Sequence, residues 1–347
     1  MLALGHDPVA TFALMASFNL RPASLASIAF KATPLIFAGL AAAMAFRVNL
    51  WNIGVEGQYY IGAFAAAMVG FGLRGLPAVI HLPLTILAGV AGGVLWALPP
   101  ILLRLRRGAH EVITTIMMNY IALALVHYLL ADVFRDPAQA GTPRIRTPLL
   151  AASARMPGLH DALALAGIEL PGHSALNWLL PVGILLCVAL ALLLSTTRAG
   201  YEVRAVAHGA GAAEAAGIPL DRVHLMMFAG SGALAGLVGL NDLLGFFGYF
   251  DVDFPKGLGF LGISVALLAK NHPVGIIFAA LLFGYLDRGA EGIQVFSRVP
   301  REVITILQAV TILAIVVAYE GVSRYLRALR TREAAVPGAA TPGPEAA

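Results

Sequence analysis

The sequence predicts an all-α, polytopic membrane helix bundle with broken or re-entrant helices, and three observations carry that prediction. Of the 347 residues, 59% are hydrophobic and only 12% are charged, against about 25% charged in a soluble domain. Apolar segments recur from residue 33 to residue 320. Between two of them lies a polar island, Trp51-Asn52-Ile53-Gly54-Val55-Glu56-Gly57-Gln58. Its two glycines let the backbone leave the helix, and the freed N–H and C=O groups then need partners. Helices broken in this way, with polar groups at membrane depth, are typical of transport sites.

Taken in order, Met1–Leu20 has no basic start, and Asp7 and Pro8 interrupt its apolar residues. It therefore does not read as a signal peptide. Residues 1–30 read as an N-terminal segment with a short amphipathic helix over Pro8–Asn19. Residues 31–325 read as one transmembrane domain with nine candidate spans: 33–48, 57–73, 79–103, 112–134, 176–196, 224–247, 257–270, 273–290 and 302–320. A span needs about 20 apolar residues. A continuous helix over 33–68 would be roughly 54 Å long, too long for one crossing, so the chain breaks at the island. The segments 257–270 and 273–290 are short and separated by Pro273, which suggests a tight hairpin.

Orientation follows from basic residues in short loops. Arg104, Arg106 and Arg107 follow the third span, and Arg324, Arg327, Arg330 and Arg332 follow the last. Nine spans put both clusters on one side with loop 197–223 and its Arg198, Arg204 and Arg222. That side is predicted to be cytoplasmic, although residues 135–155 opposite hold Arg135, Arg144, Arg146 and Arg155. The Pro-rich segment 135–175 then lies outside the cell. Residues 326–347, rich in Pro, Gly and Ala, read as a disordered cytoplasmic tail.

Several function classes are disfavoured. The single cysteine, Cys187, sits in an apolar run, so the sequence holds neither a disulfide framework nor a cysteine metal site. No His-Glu-x-x-His pattern occurs, and no cofactor is expected. The formal charge of +4 is clustered beside apolar segments, which suits a membrane surface rather than nucleic acid. There is no Gly-x-x-x-x-Gly-Lys-Ser/Thr motif, so any ATP would be bound by another subunit.

Four sets of residues are candidates for function. Asn49, Asn52 and Glu56 follow i, i+3, i+7 spacing and would share one face if the chain were helical there. They either line a translocation path or cap two helix ends. Loop 197–223 is either an ordinary connection or one or two short surface helices, whose small residues at 209–217 would let another protein approach closely. Asn119, Tyr120, Asn241 and Asp242 lie within later spans, and Asp287, Glu291 and Gln294 follow i, i+4, i+7 near the end of the eighth. Intramembrane acids are functional candidates, and interhelical hydrogen bonds or pairing with Arg288 are the alternatives. Phe246, Phe247, Tyr249 and Phe250 read as a membrane-interface belt, or as a stacking surface for a planar ring. The pairs Gly89-x-x-x-Gly93 and Gly232-x-x-x-Gly236 mark close helix packing.

Four ordered segments carry a family resemblance. Trp51–Gln58 resembles the signature of ABC-transporter inner-membrane permeases for nucleosides and simple sugars, and is closer to nucleoside-type members than to ribose-type ones. Glu111-Val112-Ile113-Thr114-Thr115-Ile116-Met117-Met118-Asn119-Tyr120 is similar to the family's central span. Arg204-Ala205-Val206 through Glu214-Ala215-Ala216-Gly217-Ile218 resembles its cytoplasmic coupling segment, and Gly262–Gly275 its late hairpin. Together these cover about residues 30–320.

The resemblance implies a bacterial or archaeal multi-pass protein of the cytoplasmic membrane. Two permeases, alike or different, would form the pore. Two cytoplasmic ATPases would dock on the coupling segments, and an extracytoplasmic binding protein would deliver solute. It further implies that Asn49, Asn52, Glu56, Gln58, Asn119, Asn241 and Asp242 shape the substrate path. Arg204, Glu214, Ala215, Ala216, Gly217 and Pro219 would meet the ATPase. Two departures stand out. The family pattern has ten spans, the first of them lying before the equivalent of residue 20. In addition, Gly209-Ala210-Gly211 replaces a more polar stretch, which softens the coupling helix.

Overall fold

A computed structural model describes residues 8–296 apart from 166 and 168–174, together with isolated positions within 306–317. The elements are α1 (Pro8–Asn19), α2 (Pro22–Phe46), α3 (Val55–Gly72), α4 (Ala78–Arg107) and α5 (Glu111–Tyr128). They continue as α6 (His160–Leu165), α7 (Leu179–Thr196), α8 (Arg198–His208), α9 (Ala210–Ala215) and α10 (Leu220–Val238). The series closes with α11 (Leu240–Asp242), α12 (Leu258–Leu268) and α13 (Pro273–Phe296). Single π-helical turns extend α5 over Leu129–Val133 and α11 over Leu243–Phe247. Among the described residues there is no strand, only the isolated antiparallel bridges Arg146↔Asp251 and Gly158↔Asn177.

All eight expected spans that fall on described residues are helical, and six helical stretches are long and apolar enough to cross a membrane. The ninth, 302–320, and the tail 326–347 lie outside the described residues, apart from a few positions. The first span starts earlier than predicted. Pro22 occupies the helix start, where its missing N–H is harmless, and α2 then runs for 25 residues. Pro8–Asn19 is helical. Met15 and Asn19 turn toward α13, while Phe12 and Ala13 are exposed, so its outward face is apolar as well.

Why the helices stop can be read locally. Asn49 adopts φ +57°, while the Leu50 N–H bonds the Ala45 carbonyl and the Asn49 N–H bonds the Phe46 carbonyl. This is a Schellman motif with Asn49 in the left-handed position. Residues 47–54 are therefore not helical, and the helical spacing of Asn49, Asn52 and Glu56 does not apply. Arg104, Arg106 and Arg107 fill the last turn of α4, where cations meet the negative end of the helix dipole.

The bundle has two distinct ends. At one, α8 and α9 form an elbow against the C-terminal ends of α2, α4 and α7 and the start of α10. Ala45, Leu50, Ile101, Leu194, Val203, Val206, Ile218 and Phe228 make its buried cluster. At the other, residues 134–156 are clipped to 248–252. The Thr147 N–H bonds the Phe250 carbonyl, and the Val252 N–H bonds the Ile145 carbonyl. The Leu150 N–H bonds the Gly248 carbonyl.

Between the ends, α4 and α10 cross at contact distance through the predicted glycines, and α3 joins them through Gly62, which the sequence reading did not single out. The two pairs pack on each other in antiparallel order. A Cβ on Gly93 or Gly236 would overlap the carbonyl of Gly232 or Gly89, and one on Gly62 would lie 2.7 Å from the Gly89 oxygen.

Candidate functional site

The polar island climbs from the elbow end into the interior. Asn49 is exposed, and its side chain donates to the Ala207 carbonyl of α8 at 3.3 Å. Leu50 belongs to the elbow cluster. Three residues on, Asn52 is fully buried and reaches Ser231 of α10. So α3 begins well inside the bundle rather than at its surface, and the polar residues of the island are spent on holding that break.

The hydrogen bonds close around it. Asn52 and Gln58 pair through their amides, with Asn52 Nδ2 donating to Gln58 Oε1 at 2.9 Å and Gln58 Nε2 to Asn52 Oδ1 at 3.1 Å. Asn52 Oδ1 also accepts the Gly54 N–H at 3.0 Å, and Asn52 Nδ2 donates to Ser231 Oγ at 2.8 Å. The Ser231 hydroxyl in turn donates to the Ala41 carbonyl at 2.5 Å. From α5, Asn119 brackets the break from the other side. Its Oδ1 accepts the Gly57 N–H at 2.8 Å, and its Nδ2 donates to the Ile53 carbonyl at 2.9 Å.

Glu56 closes a different helix. Its Oε1 accepts the Gly257 N–H at 2.6 Å and the Tyr59 hydroxyl at 3.0 Å, and its Oε2 accepts the Gly259 N–H at 2.9 Å. Those two N–H groups open α12, an 11-residue helix about 16 Å long. Residues 269–272 close the hairpin to α13 as expected, and the Arg47 guanidinium donates to the Asn271 carbonyl at the C-terminal side of α12. That puts the far end of α12 beside the C-terminus of α2. The start of α12, with Glu56, therefore lies roughly half a bilayer deeper. A carboxylate at a helix N-terminus is the favourable sign for the dipole. Glycine is required at the contact, because a Cβ on Gly259 would lie 2.5 Å from the Glu56 N.

Above this level sits an aromatic block. The Tyr60 hydroxyl donates to the Phe254 carbonyl at 2.7 Å, and the Tyr59 hydroxyl shares its single proton between Glu56 and the Pro255 carbonyl, 2.7 Å away. Phe250 and Phe254 stack at 4.5 Å between centroids. The belt reading of Phe246–Phe250 holds only in part. Phe246 is exposed, whereas Phe250 is buried in the core and Tyr249 lies under the Arg146 guanidinium at 4.7 Å. The clip folds these residues inward, a long-range pairing that a count of aromatics does not reveal.

The structure thus brings Asn52, Glu56, Gln58 and Asn119 together around one broken helix. Asn49 stands apart at the elbow. Asn241 bonds Asn177 and the Phe30 carbonyl and, with its buried neighbour Asp242, lies beyond the end of α10, away from the elbow. Sequence reading missed Ser231 and Glu111. Glu111 pairs with Arg104 at 3.0 Å and accepts the Trp51 N–H at 3.4 Å. A lone acid opening a span, after an arginine run, was the available signal.

At the elbow, Thr197 caps α8 by accepting the Gly200 N–H at 3.1 Å. Val203, Val206, Ala213 and Ile218 face inward. Arg204, Glu214, Ala215, Ala216, Gly217 and Pro219 are all exposed, although Arg204 also donates to the Leu194 carbonyl. Gly217, at φ +80°, reverses the chain after α9, with the Ile218 N–H on the Ala213 carbonyl. Burial and the neighbouring Arg204 lower the pKa of Arg47 from its ordinary value. Among the described residues no cluster of three or more His, Cys, Asp or Glu could hold a metal.

A polytopic bundle of apolar helices with a broken-helix centre and an exposed elbow defines a membrane permease subunit. The family described as "Branched-chain amino acid transport system / permease component" matches residues 24–316, and the chain belongs to it. It is 40% identical over 288 residues to the guanosine ABC transporter permease protein NupP of Bacillus subtilis, covering 83% of this chain and 79% of that protein. It is 34% identical over 318 residues to the glucose ABC transporter permease protein TsgB13 of Haloferax volcanii, covering 91% and 82%. It is 32% identical over 326 residues to the nucleoside ABC transporter permease protein NupB of Lactococcus lactis, covering 92% and 86%. The chain is an ABC transporter permease, a multi-pass protein of the cytoplasmic membrane, and its relatives are transporter subunits rather than enzymes.

Proposed function

We propose that this permease carries nucleosides into the cell by alternating access, driven by ATP hydrolysed in a separate subunit. The single observation behind the cargo is the 40% identity to a guanosine permease, supported by the nucleoside permease at 32%. A simple sugar is the second reading, favoured by the glucose permease at 34%.

The machine follows from the two ends. Loop 197–223 carries arginines and packs on Leu105, within the arginine cluster that ends α4, which suits the cytoplasmic side. There the exposed run Glu214–Gly217 with Pro219 and Arg204 would receive an ATPase. The opposite end, with 134–156 clipped to 248–252, would meet an extracytoplasmic binding protein. A second permease, identical or different, would complete the pore.

Movement of the elbow has a direct route inward. The elbow touches Asn49, Asn49 ends α2, and six residues on the chain reaches Val55, where α3 starts. Glu56 in turn holds α12. A push on α8–α9 would therefore shift α12 and the aromatic block against one another. Asn52, Gln58 and Asn119 would shape the path by fixing the break rather than by presenting free polar atoms.

The test is uptake of labelled guanosine, ribose and glucose by cells making this permease with the ATPase, second permease and binding protein encoded beside it. The Ala216→Arg variant should insert normally and lose ATP-coupled uptake. Sugar uptake alone would change the cargo. Uptake without the ATPase would make the protein an ATP-independent carrier.

A further inference from the structure

Four ionisable side chains that the broken-helix centre does not use meet on the side of the bundle. Lys31 of α2 pairs with Asp287 at 2.5 Å and Glu291 at 2.8 Å, and Arg288 pairs with Glu291 at 2.5 Å, all three partners on α13. Their depth follows from helix rise. Asp287 is 14 residues past Pro273, or about 21 Å from the elbow end, and Lys31 is about 14 Å from the start of α2. Hydrocarbon is about 30 Å thick, so the cluster lies in the half of the membrane away from the elbow.

Among the described residues the group is left partly open. Asp287 and Glu291 leave 50% and 42% of their side chains exposed. Ionised groups facing lipid at this depth are strongly disfavoured. Two further polar atoms at the same place point to water. Among the described residues, the buried Asn19 Oδ1 and Arg288 Nε have no hydrogen-bond partner. Asn19 packs on α13 through a bond to the Tyr285 carbonyl, and Arg288 lies over Phe18 of α1 at 4.8 Å. Gln294 is exposed two turns beyond Asp287, on the same face of α13.

We infer that the α2–α13 face bearing Lys31, Asp287, Glu291 and Gln294 is a water-lined wall of the solute path in the half of the membrane remote from the elbow. Two cations and two carboxylates sum to zero charge. They offer both donors and acceptors, a surface suited to a neutral solute rich in hydroxyl groups. This rests on the transport reading above, and it adds a wall that the broken-helix centre does not supply.

Cysteine accessibility tests it in the assembled importer, with Cys187→Ala as background. Gln294→Cys and Glu291→Cys should react with a membrane-impermeant, charged thiol reagent, and transported nucleoside at saturating concentration should slow that reaction severalfold. Phe278→Cys is the control. It is 69% exposed and nine residues from Asp287 on α13, thus on the opposite face, and should stay unlabelled. Failure of both test positions to react overturns the inference, as does equal labelling at Phe278. Labelling indifferent to the solute also overturns it.

In the uptake assay, Lys31→Ala should lower transport at least tenfold, and the exchanged pair Lys31→Asp with Asp287→Lys should recover half or more. Gln294 carries no charge and makes none of the ion pairs, so its reading survives even if the charge variants do not fold. A complex that labels as expected but transports only sugars would sink the nucleoside proposal and leave the wall in place.

Discussion

The Glu56 carboxylate closes the N-terminus of a helix that begins 202 residues later in the chain (258 − 56), accepting the Gly259 N–H at 2.9 Å and the Gly257 N–H at 2.6 Å. The same carboxylate takes the Tyr59 hydroxyl. One side chain therefore ties the start of α3 to the start of α12 at mid-membrane depth.

Glu56→Gln keeps one acceptor oxygen and turns an amide NH₂ onto one of three donors. A hydrogen bond to a charged group contributes about 1.5–3 kcal/mol, so a loss of about 2 kcal/mol is expected. Thermal unfolding of the purified protein in detergent checks it. An unchanged midpoint would show that α12 does not depend on this cap.

Asn119→Leu strands the buried Gly57 N–H and the partly buried Ile53 carbonyl. At about 1–3 kcal/mol for each, a loss of about 2–6 kcal/mol is expected. Asn119→Asp keeps the acceptor for Gly57 and should lose less. Denaturant unfolding of the two variants gives the order.

Gly236→Val forces a side chain into the Gly89 carbonyl on α4. Backbone sits on both sides of the contact, so no rotamer change relieves it, and the α4–α10 crossing must open. Severely reduced amounts of folded protein, read by size-exclusion profile, are expected. Gly211→Val is the comparison, since that glycine meets nothing within 4 Å, and its profile should not change.

Gly217→Val places a β-branched residue at φ +80°. Left-handed backbone costs an L-residue roughly 1–2 kcal/mol. The variant should reach the membrane at normal levels but take up solute at least tenfold more slowly, with Gly217→Asn retaining most transport. Equal uptake by all three would remove the elbow from the coupling route.

Much of the architecture was legible because membrane helices announce themselves by composition and length. The glycine pairs were legible too, since small residues four apart predict close approach whatever their partner. The centre was legible as a break but not as a geometry. Helical spacing placed Asn49 with Asn52 and Glu56, yet an asparagine near a helix end is also a left-handed stop, and here that role wins. Pairings across the chain left no local trace. Lys31 stands alone in an apolar run, its partners Asp287 and Glu291 lie 256 and 260 residues on, and only the packing of α2 on α13 makes sense of all three. Phe250 likewise reads as an interfacial aromatic until the clip to Thr147 carries it inside.

The shortness of α12 also bears on how the protein is made. A segment of about 16 Å cannot cross the bilayer by itself, so it must enter together with α13 as a hairpin. Glu56 emerges from the ribosome 203 residues before Gly259. At 5–20 residues per second, roughly 10–40 s pass before its helix partner exists. During that interval the nascent chain must keep a carboxylate wet or shielded at the translocation site. The polar centre is therefore sealed last, by the late hairpin, and a truncation before residue 257 would release α3 with its cap position open.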